Sequence, residues 1–517
     1  MNAVFIDWCI VAIVLAGIGI AGYFCRKFVS GVSDFVVAGR CVRKYLALST
    51  GLAESICIIT FARIIQQGFL HGASYVWIDI IDLFVIVGLF GYLGLVVVKF
   101  RRGGFMTVAQ YFEARFGKGT RLLAGFITAF AGVLNFAIFP IVASHFLTYF
   151  LGAPLHVEVF GIKFTTIPSL MAILILLAIS FTNMGGMVAV MLVGYIQAVI
   201  LTIGMVVMLY VSISHVGVSN IVSSLQTNMG AAAFNPFLGG SYGPVFLLWV
   251  GVNTFFVYIA FAPTMQKIAS ADNEKTAQIM TFIGVIFGKG RIMIMMLIGI
   301  AAFAAMGHNI PDMFKGFSKE EWSRVAGPLF LGNVLPPIAF GIVLASFLSA
   351  FVATSGTYLL SWSSIIVNDV LCVMVKNVLS PRAHMLSYRI IIASIALFLF
   401  VFGFIYQPTE SILEYIYMTG TMFTGIGISL VFGLYWKRTT SAGACAAILC
   451  SGILPFLDLL LRRVPELGYN LGSQYSGLGT IIIAMFACVV FSLIFKKKTV
   501  AGENASTVFE HALDTGK

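Results

Sequence analysis

The chain has 517 residues, 60% of them hydrophobic and only 10% charged, with a mean hydropathy of +1.01. These values exclude an ordinary soluble globule and place the chain among polytopic membrane proteins. The net charge of +11 is not a nucleic-acid signal, because the basic residues follow the loops between apolar runs.

A hydrocarbon core about 30 Å thick takes about 20 apolar residues per helix. The sequence predicts about thirteen spans, at 5–25, 45–70, 76–98, 123–150, 166–183, 186–212, 243–265, 277–305, 333–365, 387–406, 411–435, 441–461 and 477–495. The first carries Asp7 and no basic n-region, so it reads as a retained helix, not a cleaved signal.

The second span holds Glu54 near its middle and Arg63 nine residues later. A charge at mid-membrane costs roughly 2.5–3.5 kcal/mol, so both side chains are expected to face protein or water. Glu54 reads as a cation or proton site, or as half of a helix-fixing ion pair. Arg63 is a candidate for a solute carboxylate, for snorkelling to the interface, or for pairing with Asp79 or Asp82 of the third span.

Basic residues mark one face: Arg26, Lys27, Arg40, Arg43 and Lys44 after the first span, then Lys99, Arg101, Arg102, Arg115, Lys118 and Arg121 after the third. The loop 213–242 has no Lys or Arg. The positive-inside rule then puts the N-terminus outside and the C-terminus in the cytoplasm of a cell membrane.

The eighth span places Lys289 between Gly288 and Gly290, and Arg291 just after them, in GVIFGKGRIMIMM. Lys289 either faces a wet cavity or neutralises an acid, Glu54 among them. The loop 307–332 contains PDMFKGFSKEEWSR, expected as a short amphipathic helix on the solvated surface. The span 333–365 is too long for one straight crossing and is rich in hydroxyls: Ser346, Ser349, Thr354, Ser355 and Thr357. Such residues serve close helix packing or a hard cation. The eight cysteines form no CxxC pair and read as packing residues, not a disulfide framework or a metal site. No P-loop is present, which argues against direct ATP hydrolysis.

Five strings in order carry a resemblance. They are SDFVVAGR at 33–40, TVAQYFEARFG at 107–117, GGMVAVMLVGYIQ at 185–197, QKIASA at 266–271 with EKTA at 274–277, and GLYWKRTTSAG at 433–443. On them the chain resembles the sodium/solute symporters over about residues 1–495. Ala109 stands where that family usually has proline.

The resemblance implies an all-α, LeuT-like membrane fold built on a five-plus-five inverted repeat, with repeats at about 45–212 and 243–435 in one transmembrane domain, 1–495. Residues 496–517 would be a cytoplasmic tail. Spans 2 and 7 would be broken near the midplane, with Gly251, Asn253 and Pro263 as break or lining residues. It implies a sodium ion held by carbonyls near Leu52 and Ser55 and by Ala350, Ala353 and Thr354. Two positions of the cation pathway depart from the family pattern: Ala353 replaces a hydroxyl, and Gly194 replaces an aspartate. Glu54, Arg63, Asn253 and Lys289 are the solute-site candidates.

The implied activity is cation-coupled symport of a small polar organic solute, a carboxylate or amino acid, and not an enzymatic reaction. The alternatives are a proton-coupled carrier of the same fold and a transport-like sensor. The expected partners are the solute and the lipid bilayer, without nucleic acid; the oligomeric state is left open.

Overall fold

The computed structural model describes residues 2–25, 27, 56–159, 162–238, 242–307, 310–375, 380–406, 412–462, 464 and 471–495. Leu52, Glu54, Ser55, the string at 33–40 and the tail 496–517 lie outside the described residues. Apart from one antiparallel hairpin, β1 (His156–Val159) with β2 (Ile162–Thr165), the regular structure described is helical.

Helix α1 (Phe5–Cys25) leans on the long central helices, anchored where Asp7 accepts from the backbone of Ile338 and Gly341. Helix α2 (Ile58–His71) starts only at Ile58, because Cys57 is extended at φ −131°, ψ 179° and closes a capping box with Thr60. Gly72, at φ +60°, and a short 3-10 turn lead into α3 (Val76–Leu83), which runs on as a π-helix to Tyr92. Then follow α4 (Val97–Arg102), α5 (Val108–Phe116), α6 (Lys118–Ala137) and α7 (Phe139–Leu151). Thr107 caps α5 by accepting from the Gln110 N–H.

The fifth and sixth expected spans are one helical stretch, α8 (Thr166–Val216), interrupted at Gly186, whose φ of +56° only glycine adopts cheaply. After α9 (Val218–Asn228) comes the seventh span, split into α10 (Pro244–Ala260) and α11 (Ala262–Ser270) with a 52° bend at Phe261. Pro263 has no N–H to give the Ile259 carbonyl, so one straight helix cannot pass through. Helix α12 (Glu274–Met306) packs along α2 so closely that a Cβ at Gly68 would strike the Met296 carbonyl, and one at Gly299 the Ile65 carbonyl.

The surface helix expected in the loop 307–332 is instead α13 (Lys319–Val334), opened by a Ser318–Glu321 capping box and packed into the protein, with Trp322 and Ser323 buried. Burial of its apolar face against α2, α7 and α12 outweighs its charged first turn. The ninth span, α14 (Ala339–Ile365), is almost wholly buried and continues to Met374 through a π-helical stretch. Last come α15 (Pro381–Ile405), α16 (Ile412–Thr421) and α17 (Thr424–Tyr435), the latter pair bent by 41°, then α18 (Ser441–Leu461) and α19 (Ser473–Ile494).

Among the described residues, nine helices are long and apolar enough to cross a membrane, or eleven if each bent pair is one span. That tally takes Ile58–Tyr92 as one run and leaves Thr166–Thr182 aside as short, where the sequence reading has separate spans. Large apolar side chains such as Phe84 and Ile405 stand exposed around the outside, as a lipid-facing surface requires.

Candidate functional site

A cavity of about 320 Å³ lies where α10 breaks into α11 and where α2 begins. The start of α2 contributes Ile56, Cys57, Thr60 and Arg63. The broken span contributes Asn253, Thr254, Tyr258, Phe261 and Thr264; α12 contributes Gly284, Gly288 and Lys289. Aromatic rings of Phe139, Tyr358, Tyr417 and Phe423 complete the walls. A helix that stops inside the protein leaves backbone groups without helical partners. Just ahead of α2, the Ile56 carbonyl accepts from Gln197 Nε2 of α8 at 3.0 Å.

The charges are arranged differently from the expectation. Arg63 does not pair with the acids of α3: its Nη1 donates to the Tyr75 hydroxyl at 2.5 Å. Lys289 takes both acids instead, with Nζ 2.6 Å from Asp79 Oδ1 and 3.0 Å from Asp82 Oδ2. Thr254 of α10 donates to the other Asp82 oxygen at 2.5 Å. The reason is geometric. Asp79 and Asp82 are three apart on one helix and share a face, and α12 runs past that face with Lys289 at the level of both. The described cations Arg63 and Lys289 and the anions Asp79 and Asp82 therefore cancel. Among the described residues, the Tyr75 hydroxyl takes one of the five guanidinium donors of Arg63.

Asn253 is buried and accepts from Thr421 Oγ1 at 3.1 Å, tying α10 to α16. Asn135 crosses the same region, donating to Thr419 Oγ1 at 2.7 Å. Gly251 packs toward Ile81 and is no break; the break is at Phe261. Arg291, the second cation of that span, donates to the Phe287 carbonyl of its own helix and does not line the cavity.

The expected sodium positions on α14 are all buried. Ala353 packs its methyl against Ile18 of α1 and Val193 of α8. Its carbonyl accepts from Thr357 Oγ1 at 2.9 Å. Ser346, Ser349 and Ser363 likewise donate to carbonyls of α14 itself, and Ser346 also to the Ile200 carbonyl of α8. Ala350 and Thr354 lie one and two turns beyond Phe347, whose ring meets Phe61 of α2 at 4.9 Å. Among the described residues, no group of three His, Cys, Asp or Glu side chains is placed to hold a metal ion.

Lys289, and not Arg63, is the cation on the acids of α3, and it lines the cavity as well; Tyr75, Thr254 and the aromatic walls have no signal in the sequence. Only the spacing of Asp79 and Asp82 signalled the cluster; the ring positions are ordinary apolar residues in a membrane sequence.

At the end of the molecule that carries the basic loops, Arg102 and Glu274 pair through two bonds of 2.9 Å each. Arg121 bonds Asp369 and Glu113, and Arg101 and Arg115 donate to backbone carbonyls of residues 271 and 272, and 433 and 437.

Residues 35–451 match the sodium:solute symporter family. The chain is 23% identical to the high-affinity proline transporter PutP of Bacillus subtilis, covering 88% of this chain and 94% of that one. It is 24% identical to the sodium/pantothenate symporter of Escherichia coli, at 89% and 92% coverage. It is also 24% identical to the sodium/glucose cotransporter of Vibrio parahaemolyticus, at 95% and 91%. The structure of a Na+-coupled sialic acid symporter in its substrate-bound outward-open state superposes with a TM-score of 0.78 at 20% identity, covering 96% of this chain and all of that one. The fold is the LeuT-like inverted repeat. On the extent of the match, the chain belongs to the sodium:solute symporter family, whose members are transporters and not enzymes.

Proposed function

We propose that this protein is a sodium-coupled symporter that carries a small zwitterionic or carboxylate-bearing solute through the central cavity by alternating access. The observation that carries this reading is the cavity itself, set at the Phe261 break and the start of α2, with Arg63 on its wall. A guanidinium grips a carboxylate with two parallel bonds. The volume, near the lower end for ligand pockets, suits a solute of amino-acid size. Because the four described charges cancel, a polyanion fits less well than a zwitterion whose apolar body lies on the aromatic walls.

In this reading sodium lies between the carbonyls near Leu52 and Ser55 and the Ala350 and Thr354 region of α14. Glu54, Asn253 and Lys289 complete the solute surroundings. The basic end faces the cytoplasm and the N-terminus lies outside, by the charge rule. The relatives, which include sodium/pantothenate and sodium/glucose carriers, support sodium as the coupling ion and give no support to a proton in its place.

Purified protein in liposomes tests this. Uptake of a labelled amino acid or small carboxylate is expected under an imposed sodium gradient and not under a proton gradient alone. Sodium at about 100 times its dissociation constant should stabilise the protein by about 2.7 kcal/mol in thermal unfolding. Sodium-independent uptake sinks the coupling ion; stabilisation by sugars but not by carboxylates sinks the solute class.

A further inference from the structure

A second, much smaller pocket lies on the seam between α11, the end of α14 and the cap of α5. Its volume is about 10 Å³, the size of one water, and Gln266, Asp369, Thr107 and Thr128 are among the residues lining it. Two of them arrive with an unmet need. The buried Gln266 Nε2 has no acceptor, and the buried Asp369 Oδ2 has no donor, among the described residues.

Both gaps follow from neighbouring bonds. Gln266 spends its oxygen on Ser361, whose hydroxyl donates at 2.8 Å, so its amide N–H groups point elsewhere. Arg121 approaches Asp369 side-on, its Nε and Nη2 both reaching Oδ1, at 3.0 and 2.8 Å. A two-pronged pair would have used both oxygens; here Oδ2 is left over. Thr107 stands close to the carboxylate but does not meet hydrogen-bond geometry to Oδ2. One orphaned donor and one orphaned acceptor facing a single water-sized space are complementary, and such groups in native proteins are normally satisfied.

We propose that this pocket is a water site: one ordered water accepts from Gln266 Nε2, donates to Asp369 Oδ2 and reaches a threonine hydroxyl. With the Gln266–Ser361 bond, it latches the basic-end half of the broken span to α14. The latching role rests on the alternating-access reading above, because opening the basic end would draw α11 off α14; the water site itself does not.

Two measurements test it. In a high-resolution structure of the unaltered chain with the basic end closed, a solvent peak is expected within hydrogen-bond distance of both atoms. An empty pocket, or a thallium signal marking a cation there, overturns the proposal. The second measurement uses a chain in which Cys57, on the cavity wall, is the sole cysteine. Its alkylation from the basic face is compared in Ser361→Ala, which removes only the direct bond, and Gln266→Met, which removes both. Loss of the water bridge should make Gln266→Met react about tenfold faster than Ser361→Ala, the change expected for one buried hydrogen bond. Equal rates overturn the latch. A solvent peak in a protein that transports nothing would sink the proposed function and leave the water site standing.

Discussion

The cavity cluster and the basic-end ion pairs use the same chemistry in different surroundings. Around the cavity, the Lys289 side chain is 13% exposed and its partner Asp79 is 3% exposed. At the basic end, Arg102 and Glu274 are 25% and 36% exposed. Charges buried in protein lose their hydration, and what holds them is each other, so removing one strands the rest. Partly hydrated pairs contribute little each, because water and salt replace the lost partner. The cavity set should therefore be brittle and the Arg102–Glu274 pair redundant, while Arg121–Asp369, at 15% and 0% exposure, belongs with the buried charges although it lies at the basic end.

The sharpest way to break that contrast is Lys289→Met. It leaves Asp79 and Asp82 facing one another without their ammonium and should cost about 3–5 kcal/mol, read as a large drop in thermal unfolding in detergent. Adding Asp79→Asn and Asp82→Asn should recover most of the stability. A single variant that melts like the parent would make the two regions alike.

Next in size is Arg63→Lys, which keeps the charge and loses the planar fork. KM for a carboxylate solute should rise about tenfold, or about 1.4 kcal/mol of binding, with folding retained. An unchanged KM removes Arg63 from the solute site. Asn253→Ala takes away the acceptor of the Thr421 bond and should destabilise by about 1–2 kcal/mol in the same melting assay; no effect would mean that α10 and α16 are not joined there. Smallest is Arg102→Ala, expected to cost at most about 0.5 kcal/mol and to fade with added salt. A loss as large as that of Lys289→Met would erase the distinction.

Much of the fold was legible because membrane helices announce themselves by length and apolarity. The break in the seventh span could be read from Pro263, and the basic face from the loop arginines. What could not be read depends on which faces meet. Lys289 lies 210 residues from Asp79, and no local pattern says that α12 passes α3 at that level. Nor does anything near Arg63 announce Tyr75. The sequence PDMFKGFSKEEWSR reads as surface because its charges are counted and its neighbours are not, yet Trp322 is buried. At the bent α16–α17 pair no proline marks the change of direction. The water-sized pocket was out of reach altogether, since it exists only because Arg121 meets a carboxylate from the side.

The contact between α2 and α12 has a mechanical consequence. With backbone against backbone at Gly68 and Gly299, neither helix can slide or tilt without carrying the other. Helix α12 has 33 residues, about 50 Å at 1.5 Å each. A lever of that length turned by about 10° around its middle swings each tip by about 4 Å. So modest a rotation is comparable to the width of a small solute, and the two glycines act as the weld that delivers it to both ends at once.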